Sequence, residues 1–358
     1  MIVMIVVFTL TAMVTAFAYK MKIELRLAKN DNNEAQLEWV ARGAVEWAKF
    51  AITHKCPNMQ NVDTLNEAWA GGVSCPDDPV IGLVDLRNIR FGPIGSASLK
   101  ITDMERKWNI NLLANPRPPG PQPLILQNAL TVMGITDPTV TANITDCILD
   151  WVSPEDQPRF NGAKSDYYLR LDPPYYCKNG YIDDISELLR IKGITPDMVS
   201  ATNFSMSAYQ THSSPFPRDW VPPSYDYHFD ELFTIMGGRL NANTASAAAL
   251  MLIPGIDTDM AENIVKSRAG EDGADGTEDD MPFRSPMEVM TRGLTGMGMG
   301  MPMGPRPGPV MAQQFIGVSS QYFEVKIDAE VSGYRKTFYA VLYRPPGRDP
   351  KIIKFYSN

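Results

Sequence analysis

Residues Met1 to Tyr19 carry no charge, and Lys20 is the first charged side chain. At a rise of about 1.5 Å per residue such a run makes a helix of roughly 28 Å, close to the thickness of one hydrocarbon core. A soluble protein can bury a helix that is apolar on every side only inside a large surrounding body. A signal peptide has a basic start, an apolar stretch of about 7–15 residues and a break after small residues. This run is longer, opens on Met1-Ile2-Val3 without a basic residue, and passes Thr15–Ala18 without a turn. It predicts a single-pass membrane anchor over 1–20. The helical period then continues to about Ile52, with Leu37, Val40, Ala41, Ala44, Val45 and Ala48 on one stripe and Glu38, Arg42, Glu46 and Lys49 on the other side. His54 and Lys55 suit a helix end and Pro57 stops it. The six apolar stripe residues are the expected interface with a protein partner.

Behind the anchor there is material for two or three domains: the chain has 358 residues, 44% hydrophobic and 21% charged. The net charge of −8 owes most to one loop, Gly270–Asp280, which holds Glu271, Asp272, Asp275, Glu278, Asp279 and Asp280. Without that loop the surface is nearly balanced, so the chain as a whole attracts neither nucleic-acid phosphates nor anionic lipid.

Strand patterns flank a helical middle. Asp77–Asp85, Ile89–Phe91 and Ser98–Asp103 read as strands, Asp103–Arg106 as a turn and Lys107–Leu112 as a returning strand. Near the C-terminus Tyr322–Val331 alternates at period two, Ser332-Gly333 turns, and Lys336–Tyr343 completes a hairpin. Between these flanks an apolar pair followed by Gly-Ile and a helix-starting polar group recurs at Gly134-Ile135, Gly193-Ile194 and Gly255-Ile256. Each Gly can take the left-handed turn that closes one helix, and a Thr or Asp soon after can cap the next. A second echo is Asn109-Ile110-Asn111 against Asn241-Ala242-Asn243. The expected fold is α+β: a long N-terminal helix, membrane-anchored in its first half, packed on a small antiparallel sheet, with a large inserted α-helical domain containing helix-hairpin-helix units. The expected divisions are an anchor at 1–20, helix and first strands at 21–112, the insert at 113–292, a Met/Gly/Pro linker at 293–312, and closing strands at 313–358. The acidic loop and the linker have the composition of mobile segments.

Chemistry-bearing motifs are few. No P-loop, no nucleophile motif and no cluster of His and Cys at metal spacing occurs, so no catalytic residue is assigned and no enzyme is expected. The copy around Gly255 is a helix-hairpin-helix signature, whose sharp reading is a membrane-anchored DNA-binding protein gripping the phosphate backbone. Asp257, Asp259 and Glu262 stand there against only Lys266 and Arg268, and acids beside phosphates oppose such binding, so nucleic acid is not an expected partner. No cofactor is required. Asp272, Asp275, Glu278, Asp279 and Asp280 offer oxygens at short spacing with glycines between, which makes calcium the candidate ion, although the spacing is not that of an EF-hand. In an exported protein the four cysteines favour local disulfides, Cys56–Cys75 and Cys147–Cys177, with free buried thiols as the alternative.

Four stretches, taken together, resemble the minor pseudopilin K family of type II secretion systems. They are the apolar start running into Glu24-Leu25-Arg26-Leu27-Ala28-Lys29-Asn30; Lys107-Trp108-Asn109-Ile110-Asn111-Leu112; Leu149-Asp150-Trp151 with Asn161–Tyr168, Asp172-Pro173-Pro174-Tyr175 and Asp184–Leu188; and Leu232-Phe233-Thr234 with Leu240–Ser246 and Ile253-Pro254-Gly255-Ile256. The resemblance implies a pilin-like fold with a helical insert. It implies an inner-membrane protein with its bulk in the periplasm, working at the tip of a pseudopilus with the I- and J-type minor pseudopilins and meeting secretion machinery or cargo. Most pilin-like proteins place a glutamate early in the apolar run to neutralise the next subunit's amino terminus. This family lacks it, and here the first acid is Glu24. Such a subunit caps a filament. Calcium is associated with the family, but its ligands do not map onto positions of this sequence.

Overall fold

The computed structural model describes residues 1–72, 86–114, 122–200, 225–295 and 312–357, with only the backbone of Asn58 and Thr295. Its first element is α1 (Ile2–Thr53), 52 residues and about 78 Å long. The chain then runs through short 3-10 turns to β1 (Ile89–Phe91) and β2 (Gly95–Asp103). Beyond the turn Met104–Arg106 lie β3 (Trp108–Asn109), α2 (Gln122–Val132) and α3 (Pro138–Val152). Single helical turns and the two-residue strands β4 (Phe233–Thr234) and β5 (Leu240–Asn241) follow. The helices Thr258–Arg268 and Pro286–Thr295 come next. After β6 (Ile316–Gly317) the chain returns to the sheet with β7 (Tyr322–Val331), β8 (Tyr334–Tyr343) and β9 (Lys351–Ser357).

The main sheet is antiparallel in the order β1-β2-β7-β8-β9. Its centre joins β2 to β7, with Leu99 opposite Ile327 and Ile101 opposite Val325, although more than two hundred residues separate the two strands in sequence. Everything between Asp103 and Tyr322 is thus an insertion hung from two adjacent strands. In β7 the odd positions Phe323, Val325, Ile327, Ala329 and Val331 are buried and the even ones face outward, the period-two signature of a half-covered strand. Ser332 (φ 50°) and Gly333 (φ 81°) take the two positive-φ positions of a tight hairpin.

Two hydrophobic cores result. The first lies between the sheet and α1, where the stripe from Leu37 to Ile52 meets Leu99, Ile101, Phe323, Val325 and Ile327. The second fills the insertion around Leu126, Leu130, Ile148, Trp151, Tyr168, Leu250, Ile253 and Ile264.

The Gly-Ile repeat is a set of matching turns in this second core. Gly134, Gly193 and Gly255 take φ of 90°, 87° and 95°, and Ile135, Ile194 and Ile256, which follow them, are all buried. Capping varies between copies. Asp257 accepts from Met260 N, and Asp137 rather than Thr136 caps α3, but the Thr195 hydroxyl donates to Asp197 instead of capping. The Asn-x-Asn echo is also structural: Asn109 and Asn241 each accept from the backbone N–H two residues on. Each asparagine lies in a two-residue parallel bridge, β3 with β4 and β5 with β6.

Some expectations are corrected. Lys107–Leu112 does not return as a strand of the main sheet, because Trp108-Asn109 pairs with Phe233-Thr234 and Ile110–Ala114 then coils into a 3-10 helix. The fifth strand, β9, was not expected, since Lys351-Ile352-Ile353-Lys354 lacks alternation and packs only at an edge. Gly293 does not open the linker. It continues the helix Pro286–Thr295, where a Cβ would stand 2.8 Å from Ile264, so the glycine lets two helices approach closely. The expected strand at 77–85 and most of the expected linker lie outside the described residues.

Candidate functional site

Helix α1 presents a long exposed surface. Every residue from Met1 to Asn32 is exposed, so the first three-fifths of the helix stands free of the body. It is the one described helix long and apolar enough to cross a membrane. The expected interface stripe is not available to a partner. Leu37, Val40, Ala41, Ala44, Val45 and Ala48 are all at most 5% exposed, because the chain's own sheet covers them. The sequence showed that this stripe must be buried but not that β2, β7 and β8 would bury it. The helix face left open carries Trp39 (74% exposed), Trp47 and Phe50, set among the Arg42–Glu38 and Lys49–Glu46 pairs.

The acidic loop closes on itself. Asp275 grips Arg268 through both oxygens at 2.7–2.8 Å, Asp279 accepts the Glu271 and Asp272 amides, Asp280 accepts the Gly276 amide, and Asp272 accepts the Ala274 amide. These carboxylates serve the loop's own donors and do not converge with Glu278 on one point. Among the described residues no group of three or more His, Cys, Asp or Glu side chains could hold a metal ion. As folded, the loop does not fit calcium. Arg268 is itself buried and also donates to the Ala242 and Ala245 carbonyls. It therefore cannot serve the neighbouring turn as a phosphate contact. Asp257, Asp259 and Glu262 remain exposed there with Lys266 alone, a surface that repels a polyanion.

Between the two cores lies a polar joint that the sequence did not reveal. Asp63 accepts from Lys55 Nζ at 2.6 Å, from Ser320 N at 2.7 Å and from Arg344. Asp103 Oδ2 accepts the Thr244 and Ser320 hydroxyls at 2.5 and 2.6 Å and Asn241 Nδ2 at 3.2 Å. Glu105 takes Gly238 N with one oxygen and Gln321 N with the other. Glu67 accepts Thr64 N and lies 3.6 Å from Lys55. Desolvation pushes Glu67 and Glu105 up to about 7 and Asp103 up to about 6. Asp103-Met104-Glu105 reads in sequence as a plain polar turn. Its partners come from positions 55–67, 238–244 and 320–344, which no local pattern links.

Cys147 and Cys177 do not pair. Both are free and buried: Cys147 Sγ donates to Asn161 O and Cys177 Sγ to Asp150 O, so each thiol is turned to a carbonyl of its own. Burial pushes the Cys147 thiol up to about 11. Cys56 is disulfide-bonded, and Cys75, its expected partner, lies outside the described residues. Iodoacetamide at neutral pH is expected to label neither free thiol in the native protein and both after unfolding in urea, read by mass. Failure to label after unfolding would show them paired. Lys164, buried beside them, holds the Asp150 and Ser153 carbonyls and Asn179 Oδ1 at 2.6–2.9 Å and so ties the end of α3 to the loop that follows.

A free apolar helix thus continues into an amphipathic half that is roofed by an antiparallel sheet. Residues 106–211 match the family model for type II secretion system protein K. The type II secretion system protein K of Aeromonas hydrophila is 23% identical over 99% of this chain and 93% of its own length. That of Pectobacterium carotovorum is 26% identical over 46% of this chain and 47% of its own. Across the curated relatives, the chain spans from about half to nine-tenths of their length. The crystal structure of the GspK-GspI-GspJ complex of enterotoxigenic Escherichia coli contains a chain of the same fold, with a TM-score of 0.64 and 16% identity over 92% of this chain. All three comparisons make the chain similar to protein K of type II secretion systems.

Proposed function

We propose that this protein is a non-enzymatic minor pseudopilin that nucleates and caps a pseudopilus tip. It is held in the inner membrane by the first turns of α1, with its folded bulk in the periplasm. Its partners are I- and J-type minor pseudopilins, such as those named with the Escherichia coli structure, and the insertion faces secretion machinery or cargo. The Gly134, Gly193 and Gly255 turns are read as helix-hairpin-helix units that serve packing rather than DNA, since their isoleucines are spent in the core. The observation that carries the proposal is the division of α1: one stripe is covered by the chain's own sheet, and the opposite face keeps Trp39, Trp47 and Phe50 in solvent. Exposed aromatics on a rigid helix are what a helix-packing partner would cover. The test is co-purification of the full chain from detergent with the I- and J-type pseudopilins of its own organism. A stable ternary complex is expected, and Trp39→Asp with Trp47→Asp should weaken it at least about tenfold. No complex with the native chain, or a complex indifferent to both substitutions, would overturn this assignment of the surface.

A further inference from the structure

The helix changes chemistry just past its apolar run. Lys22, Arg26 and Lys29 fall within about 60° of arc at 100° per residue. All three are exposed, and among the described residues none has an ion-pair or hydrogen-bond partner. The acids of this segment are elsewhere: Glu24 and Asp31 lie on the opposite side, Glu24 is paired with Lys20 at 3.8 Å, and Glu34 is paired with Lys336. Three cations thus share one face without compensation, about 4–15 Å beyond Tyr19 along the axis, where the headgroup layer begins.

We propose that Lys22, Arg26 and Lys29 form a collar that binds the phosphates of anionic phospholipid headgroups at the membrane surface. Two observations select a lipid as the occupant. The stripe is continuous with the apolar run, so the helix that enters the bilayer delivers it to the interface. Its charge is also complementary to that surface, and lysine and arginine stems lie along hydrocarbon while their heads reach phosphate. Basic flanks are ordinarily kept on the cytoplasmic side of a span, whereas here they lie on the side of the folded body, so the collar gives three otherwise unpaired cations a partner.

The collar rests on the membrane-anchor reading, and the experiment separates the two. Full-length protein is first floated with neutral phosphatidylcholine vesicles, which reports the anchor alone. It is then reconstituted in the same vesicles with trace spin-labelled phosphatidylglycerol or phosphatidylcholine. The lipid shell is expected to favour phosphatidylglycerol about threefold at low salt and to approach parity in 1 M salt. Lys22→Gln with Arg26→Gln and Lys29→Gln should abolish the preference, and Lys20→Gln, which removes a cation already paired, should leave it. Flotation with no preference, a preference unchanged in the triple variant, or an equal loss in Lys20→Gln overturns the collar and leaves the anchor standing. Failure to float overturns both.

Discussion

Replacing Asp63 with alanine is expected to lower the thermal unfolding midpoint by about 10 °C. Asp63 is fully buried and is the anion that Lys55 and Arg344 share. Its removal leaves Arg344 without its carboxylate and Lys55 with only Glu67, both cations part-buried, and breaking such a network costs about 3–5 kcal/mol, with each kcal/mol worth about 2–4 °C in a chain of this class. The loss would not stay local. Arg344 also donates to Ile52 O and Ser320 O, so the same guanidinium joins the end of α1 to the strand that re-enters the sheet after the insertion. The Asp63 carbonyl accepts Asn241 Nδ2 from the insertion itself. Asp63→Asn keeps the shape and removes the charge, so a smaller loss is expected. The exposed pair Arg42–Glu38 is the control, worth at most about 0.5 kcal/mol at this spacing. Calorimetry on the three variants decides the matter: an Asp63→Ala midpoint as close to native as that of Glu38→Ala would mean the joint does not hold the two cores together.

How much of this could be read from the chain follows from the range of the forces involved. The long apolar helix, the stripe of α1, the β7–β8 hairpin and the three Gly-Ile turns are written in local periodicity and in residues with special backbone freedom. They stand where the pattern placed them. The use of the stripe was missed because burial in a chain's own sheet and burial against a partner leave the same apolar pattern. The open aromatic face was legible only by subtraction, once β2, β7 and β8 had taken the other side. The acidic loop misled for a related reason. Composition shows oxygens at short spacing, but only the fold shows that Arg268 and four backbone amides have already taken them. The polar joint was wholly illegible, since it bonds residues as far apart as Asp63 and Arg344, 281 positions along the chain.

The joint should also make the protein more stable in mild acid than in mild base. Four carboxylates, Asp63, Glu67, Asp103 and Glu105, meet only two cations there, Lys55 and Arg344, so burial leaves more negative charge than the site can neutralise. Desolvation accordingly raises Glu67 and Glu105 to about 7 and Asp103 to about 6, against roughly 4 in an unfolded chain. Between pH 5 and 7 the native state then binds more protons than the unfolded state, and stability must fall as pH rises. The contribution is fully present below about pH 4 and is lost as pH passes through 6 to 7. The carboxylates held low, Glu34, Asp184 and Asp279, lose their contribution only in stronger acid and leave this window clear. Going from pH 8 to pH 5.5 is expected to add about 2–4 kcal/mol, or about 6 °C in midpoint. Glu105→Gln removes one titrating group while keeping an acceptor for Gly238 N or Gln321 N, so its pH profile should be flatter than the native one. A native profile that is flat or rises from pH 5.5 to 8 would mean that Glu67, Asp103 and Glu105 remain ionised in the fold, held by their hydrogen-bond donors against the cost of burial.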